Sequence, residues 1–306
     1  KDNGVRPIAV GETLRRIASR AICVRLKARF AEVLRPVGQV GVGVRGGAEG
    51  AVIAVRERLR QETDPTRVAV LKLDLENAFN AVSRDRMLQA VARWVPELLP
   101  WAVFFYGKPA HLFCEGRQLD FCSTTGVQQG DPLGPFLFAL CLRDLAEELR
   151  SSLPNTLSVW YLDDGTLVGP VEEVYTGWEI IQRHLAEVGL SVNLGKTEWY
   201  SPGGFPPPRE GIQVLPVGGF ELLGSPIGSP AFCTAAVQAR VGKVAAQVAA
   251  RTAGLGEASQ RLADIDVRDV SPQTWLRVEA QRWSWRDLLG EAEVEAVTVE
   301  LRGLLD

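Results

Sequence analysis

The apolar positions of this chain change period several times, and each change marks an element. Leu14, Ile17, Ala21, Val24, Ala28 and Ala31 recur every three or four residues with Arg and Lys on the other positions. This predicts a basic amphipathic helix over 11–34, stopped near Pro36. A Gly-rich turn from Gly38 to Gly50 leads to a second helix over 51–61, closed by Asp64-Pro65. The run Val68 to Leu73 reads as a buried strand that delivers Asp74 at its C-terminal end. Helical spacing returns over 76–94, and 101–106, 111–114 and 118–122 read as short strands or hairpin arms. An apolar helix is expected over 133–150. Two short strands, 158–162 and 166–168, are joined by Asp163-Asp164-Gly165, the sequence form of a tight hairpin turn. A helix over 171–188, a strand pair near 191–200 and an exposed Pro/Gly-rich loop over 202–208 follow. From Ala231 the pattern is helical to the end, interrupted at Gly254 and Pro272, and there is no internal repeat.

Composition narrows the class without choosing a function. With 306 residues, 46% hydrophobic and 23% charged, the chain is of ordinary globular type. Apolar stretches such as Phe136 to Leu142 fall far short of the roughly 18 residues of a membrane span, and the N-terminus lacks a signal-peptide layout. A soluble, intracellular protein is expected, with nucleus and cytoplasm not distinguished and no membrane partner. Five cysteines at wide spacing without a C-x-x-C pair argue against a disulfide framework or structural zinc and read as reduced core thiols. Charge is uneven: residues 1–60 hold 13 Lys and Arg against 5 Asp and Glu, and the remainder is net negative. A basic N-terminal part suits a polyanion such as nucleic acid, or is a solvated surface.

Three patterns could carry chemistry. Gly41-Val42-Gly43-Val44-Arg45-Gly46 matches G-x-G-x-x-G, yet a basic helix and Pro36 stand where a dinucleotide fold needs a strand. Asp74 at a strand end and Asp163-Asp164 in a hairpin turn could meet at one sheet edge. Clustered carboxylates repel unless cations neutralise them, and an oxygen-only ligand set suits Mg²⁺ or Mn²⁺; the other reading is exposed turn aspartates. The loop Gly126 to Pro135 carries Gln128 and Gln129 and opens onto an apolar helix, an arrangement that presents backbone amides to a polar ligand.

Taken in order, these pieces resemble the reverse transcriptase family. Val70-Leu71-Lys72-Leu73-Asp74-Leu75-Glu76-Asn77-Ala78-Phe79 is similar to its first palm motif, Gly126 to Pro135 to Q-G-x-P-x-(S/G)-P, and Tyr161-Leu162-Asp163-Asp164 to the Y-x-D-D box. Gly189 to Thr197 resembles G-L-x-x-N-x-x-K-T, and Phe220 to Gly224 the primer-grip hairpin. Arg6-Pro7-Ile8 and Gln39-Val40-Gly41-Val42 resemble fingers motifs, which accounts for the glycine pattern.

The resemblance implies an α+β right-hand polymerase with partial fingers over 1–66, a ferredoxin-like palm over 67–230 and a helical thumb over 231–306. It implies a non-LTR retroelement or group-II-intron-like enzyme that copies an RNA template into DNA from a DNA primer and dNTPs. Asp74 and Asp163, assisted by Asp164, would hold two Mg²⁺ or Mn²⁺ ions. Lys196 would be a proton donor near the leaving pyrophosphate, and Lys1 and Arg6 charge clamps on the triphosphate. Phe79 would press against the sugar, with Gln129 and Gly130 contacting template and incoming nucleotide. Arg15, Arg16, Pro135, Leu223 and Gly224 would meet template and primer. Trp275, Trp283 and Trp285 are expected to pack a thumb core. The start at Lys1, inside a fingers hairpin, is expected to mark a fragment of a longer protein. The alternatives are an RNA-dependent RNA polymerase, for which Phe79 is the wrong residue, a catalytically silent RNA-binding module of the same fold and, more distantly, a dinucleotide enzyme. Template preference, priming mode and oligomeric state stay open.

Overall fold

A computed structural model describes residues 11–263, apart from Glu115 and Gln129. The expectations for Lys1, Arg6, Gln129 and the three thumb tryptophans therefore lie outside the described residues. Two units are recognisable, 1–236 and 237–306.

The first unit opens with α1 (Thr13–Leu34) and α2 (Gly47–Arg60), followed by β1 (Val68–Leu73), α3 (Ala78–Ala81), α4 (Arg84–Trp94) and α5 (Leu99–Tyr106). Then come the hairpin β2 (Ala110–Cys114) and β3 (Arg117–Ser123), α6 (Gly134–Cys141), α7 (Arg143–Ser152), β4 (Leu157–Tyr161), β5 (Asp164–Pro170) and α8 (Val171–Glu187). Short strands β6 (Glu198–Tyr200), β7 (Gln213–Val214), β8 (Gly219–Leu222) and β9 (Ser225–Gly228) precede α9 (Pro230–Ala263). Five strands form one sheet in the order β4-β5-β1-β6-β7, antiparallel except for β6 with β7, and β8 and β9 pair separately.

The continuous apolar run of β1 follows from its central place. Ala69, Leu71 and Leu73 point into the larger core with α4, α6 and α8, while Val68 and Val70 enter a smaller core with α2, β8 and β9. Both faces are buried, so period-2 alternation disappears and every position but Lys72, near the acidic end, is apolar. Each fully buried Val or Leu here contributes about 1.5–3 kcal/mol relative to exposure.

Several elements differ from the sequence expectation. The first helix forms, but its expected apolar stripe faces out: Leu14 is 70% exposed, Ile17 61% and Val24 70%. Ser19, Phe30, Val33 and Leu34 are buried instead, because Phe30 stacks on Phe136 with ring centroids 3.5 Å apart and sets the rotation of the helix. The expected strand over 101–106 is helix α5, opened by Pro100 in its first turn, with Ala102 and Tyr106 buried at four-residue spacing. The helix over 76–94 breaks into α3 and α4 where Ser83 caps α4 by accepting from the Arg86 N–H, and that over 133–150 breaks into α6 and α7. Near 191–200 only β6 forms a strand, with a single bridge from Val192 to Leu75. All five cysteines are free, but of them Cys141 alone is buried, while Cys114, at the end of the β2 hairpin arm, is exposed.

The β4–β5 turn also shifts. Tyr161 pairs with Asp164, so the connection is Leu162-Asp163, and Asp164 and Gly165 belong to β5. Gly165 is needed in the strand, where a Cβ would lie 2.6 Å from the Trp160 ring of its cross-strand partner. The left-handed turn position falls to Leu162, at φ 57°.

No helix among the described residues is long and apolar enough to cross a membrane.

Candidate active site

The fold brings Asp74, Asp163 and Asp164 to one end of the sheet. Leu73 pairs with Gly165, so the residue after β1 and the first residue of β5 are register neighbours. Burial of its carboxylate, then the negative charges of Asp163 and Asp74, push Asp164 up to about 6, against an opposing pull from Lys72. Asp164 nonetheless keeps contact with solvent, which tempers that shift. Lys72 itself bonds the Glu198 carboxylate across β1 and β6.

Asp74 is held from behind by the segment resembling G-L-x-x-N-x-x-K-T. The Asp74 N–H donates to Thr197 Oγ1 at 3.2 Å, and the Asn193 N–H donates to the Asp74 carbonyl at 2.8 Å. Glu76 is tied to Ser191 twice, through its N–H to the Ser191 carbonyl and from the Ser191 hydroxyl to its carboxylate. Lys196, in the same turn, is exposed.

As a donor set, three carboxylates at one sheet end, two of which raise the proton affinity of Asp164, are the oxygen ligands a hard divalent cation takes. Among the described residues, no group of three or more His, Cys, Asp or Glu side chains is arranged so that it could hold a metal ion. The chemistry of the donors fits Mg²⁺ or Mn²⁺.

Phe79, half-buried, stacks on Phe138 at 4.5 Å, and the loop bearing the glutamines laces onto its helix. Val127 N–H donates to the Phe79 carbonyl at 2.7 Å, Gly126 N–H to the Val82 carbonyl at 2.8 Å and Thr125 Oγ1 to the Asn80 carbonyl at 3.0 Å. Gly126 is left-handed, and a Cβ there would lie 2.4 Å from the Asn80 carbonyl oxygen. Gly130 is exposed and Pro135 half-buried. The Gln128 Oε1 is buried with no partner among the described residues.

Asp131, in this loop, is 4% exposed. Its carboxylate accepts from Arg15 Nη2 at 3.0 Å, from the Tyr106 hydroxyl at 2.7 Å and from the Leu133 N–H at 3.0 Å. Burial and then Asp131 drive the Tyr106 phenol well above its usual range. Arg15 also lies over the Phe105 and Tyr106 rings. Arg15, expected at the nucleic acid, thus points inward, whereas Arg16 is exposed. Leu223 and Gly224 form the two-residue turn of the β8–β9 hairpin, both left-handed, at some remove in sequence from the aspartates.

Sequence reasoning missed Asn193 and Thr197 as supports of Asp74, the Asp131–Tyr106 node, and Gln39, whose side chain grips the Leu162 backbone. Asn193, Thr197 and Gln39 stand inside segments already noted for their family likeness; their role emerges only once the chain is folded.

A sheet whose central strand and adjacent hairpin present acidic residues at one end, backed by helices, is the palm of a right-hand polymerase. Residues 1–227 match the family described as reverse transcriptase (RNA-dependent DNA polymerase), and the chain belongs to it. It is 30% identical over 205 residues to the retrotransposable element SLACS 132 kDa protein of Trypanosoma brucei gambiense, covering 65% of this chain and 17% of that one. Protein P of hepatitis B virus genotype H is 28% identical over 130 residues, 41% of this chain and 14% of the viral protein. The chain thus spans about a sixth of the length of these relatives. Among solved structures, apo telomerase from Candida tropicalis matches with a TM-score of 0.53 at 10% identity, over 69% of this chain and 39% of that one. A form truncated from the C-terminal domain gives 0.51 at 14% identity, over 71% and 44%. These likenesses agree with the expected α+β right-hand architecture and with a retroelement relationship.

Proposed function

We propose that this chain copies an RNA template into DNA by nucleotidyl transfer at the Asp74–Asp163–Asp164 edge. The observation that carries the reading is the crowding of Asp164 by the other two carboxylates at the end of a central palm strand. Asp74 and Asp163, assisted by Asp164, hold two Mg²⁺ or Mn²⁺ ions, which when bound favour the ionised primer 3′-hydroxyl and neutralise the triphosphate. Phe79 lies against the deoxyribose, and Gln129 with Gly130 meets template and incoming nucleotide. Lys1 and Arg6 clamp the triphosphate, and Lys196 donates a proton to the departing pyrophosphate. Arg16, Pro135, Leu223 and Gly224 bear on template and primer. Arg15 serves through Asp131, by holding the glutamine loop against the first helix.

The partners are accordingly an RNA template, a DNA primer and dNTPs. Primer extension on matched RNA and DNA templates, with Mg²⁺ and with Mn²⁺, tests the reading. Extension that requires the cation and proceeds on RNA supports it; tight RNA binding with no extension under either cation would establish a silent RNA-binding module instead.

A further inference from the structure

Leu162 is a non-glycine residue held in a left-handed turn, with φ 57°, immediately before Asp163. A non-glycine side chain in that conformation costs about 1–2 kcal/mol, so something must hold it there. The holding group is Gln39, 2% exposed and 123 positions away in the chain. Its Nε2 donates to the Leu162 carbonyl at 3.1 Å, and its Oε1 accepts from the Leu162 N–H at 2.9 Å and from the Gly41 N–H at 3.0 Å. One side-chain amide thereby satisfies both backbone groups of one residue, as a neighbouring strand would. Two N–H donors converge on the oxygen and a carbonyl faces the nitrogen, so the orientation of the amide is fixed.

The surroundings keep Gln39 in place. Its backbone bridges Trp160, with Val40 N–H donating to the Trp160 carbonyl at 2.8 Å and Trp160 N–H to the Gly38 carbonyl at 2.9 Å. Gly41 makes the approach possible, because a Cβ there would lie 2.7 Å from the Leu162 nitrogen and 2.9 Å from its Cγ. The glycines that imitate a dinucleotide fingerprint thus include one required for close contact with the acidic turn.

We propose that Gln39 is a positioning residue for Asp163: by clamping the strained Leu162 backbone it fixes the direction in which the Asp163 carboxylate leaves the turn. The proposal deepens the polymerase reading and rests on it for the consequence in catalysis. A carboxylate displaced by about 1 Å can cost on the order of a hundredfold in rate.

The test compares Gln39→Leu and Gly41→Ala, each alone and with Leu162→Gly, in the full chain. Gly41→Ala disturbs the same contact by pressing on the Leu162 backbone while keeping the Gln39 amide, so the two variants perturb the clamp by different means. Both single variants should lower kcat for primer extension tenfold to a hundredfold while KM for dNTP stays within about twofold. Leu162→Gly should restore most of that loss relative to Leu162→Gly alone, since glycine adopts the turn conformation without a clamp. Mn²⁺ titration followed by electron paramagnetic resonance should show weaker binding in Gln39→Leu. Amide hydrogen exchange should accelerate in segment 158–166 and not in β1. A kcat unchanged in both singles, or a loss that Leu162→Gly does not restore, would overturn the proposal. An inactive wild-type chain would overturn the polymerase reading instead, and the exchange measurement would still decide whether Gln39 holds the turn.

Discussion

Asp131 and Asp164 are both aspartates at the entrance to an element, in opposite surroundings. Asp131 meets a guanidinium, a phenol hydroxyl and a backbone N–H, so its charge is neutralised and its lone pairs are taken from inside the fold. Asp164 meets two more carboxylates, opposed by Lys72, which also serves Glu198. The first is closed to any external ligand and can only position its neighbours. The second gains by whatever cation arrives, because neutralisation relieves a repulsion that the fold itself has built. Like-charged crowding at a sheet edge, rather than the number of acidic residues, separates a ligand site from a structural anchor.

The largest effect should come from breaking the closed site. Asp131→Ala strands the buried Arg15 guanidinium and the Tyr106 hydroxyl together, and removing one partner of a buried ion pair costs about 3–5 kcal/mol. Urea unfolding followed by circular dichroism measures it. A loss under about 1 kcal/mol would show that the site opens readily to water, and the contrast with Asp164 would collapse. At the open site the outcome is reversed. Asp163→Asn should leave folding stability near wild type while extension falls by at least about 10²–10³-fold, the usual scale for removing one electrostatic support of a transition state. Primer–template affinity, followed by fluorescence anisotropy, should be retained; lost affinity would assign Asp163 a structural part.

The open site was the more legible of the two in sequence. Asp74 follows an apolar run and Asp163-Asp164 stand in a tight turn, so local pattern offered the pairing beside a reading as exposed turn aspartates, and the resemblance to the reverse transcriptase motifs decided between them. Asp131 is silent in sequence because its partners, Arg15 and Tyr106, lie 116 and 25 positions away. Arg15 itself was expected to face template and primer from the basic side of its helix. The rotation of α1 escaped because Phe30 outweighs the regular Leu14–Ile17–Val24 stripe once it can stack on Phe136. Helix α5 read as a strand because six residues apolar on every side carry no usable period. The turn register was misplaced by one general rule, Asp-Gly in a hairpin turn, against a stronger local one, the space the Trp160 ring requires of Gly165.

Phe79 follows Asp74 by five residues in the chain, with its backbone bound to the glutamine loop and its ring stacked on Phe138. On the proposed reading, in which the ring lies against the sugar, a ribose 2′-hydroxyl would be left without water or a hydrogen-bond partner, at a cost on the order of 1–3 kcal/mol. Phe79→Val should therefore raise the rNTP:dNTP ratio of kcat/KM roughly tenfold to a hundredfold. An unchanged ratio with lowered stability would place Phe79 with the closed core.

The smallest effect is the most direct reading of the repulsion. The Asp164 carboxyl, raised to about 6 in the fold, titrates in the ordinary carboxylate range, near 3.9, when unfolded. Between those two pH values the native chain binds a proton that the unfolded chain has released. The stabilising contribution of that proton is complete below about pH 4 and is lost as pH rises through about 6. At pH 7 and without divalent cations, Asp164→Asn should thus stabilise the chain, by about 1 kcal/mol after allowing for the solvent that screens the side chain. The gain should shrink toward zero at pH 4. Millimolar Mg²⁺ should raise the Tm of wild type at pH 7 more than that of Asp164→Asn, since the cation relieves the same repulsion. A variant destabilised at pH 7, or one whose gain grows as pH falls, would mean that Asp164 is held by favourable partners as Asp131 is, and that the sheet edge is not the open site.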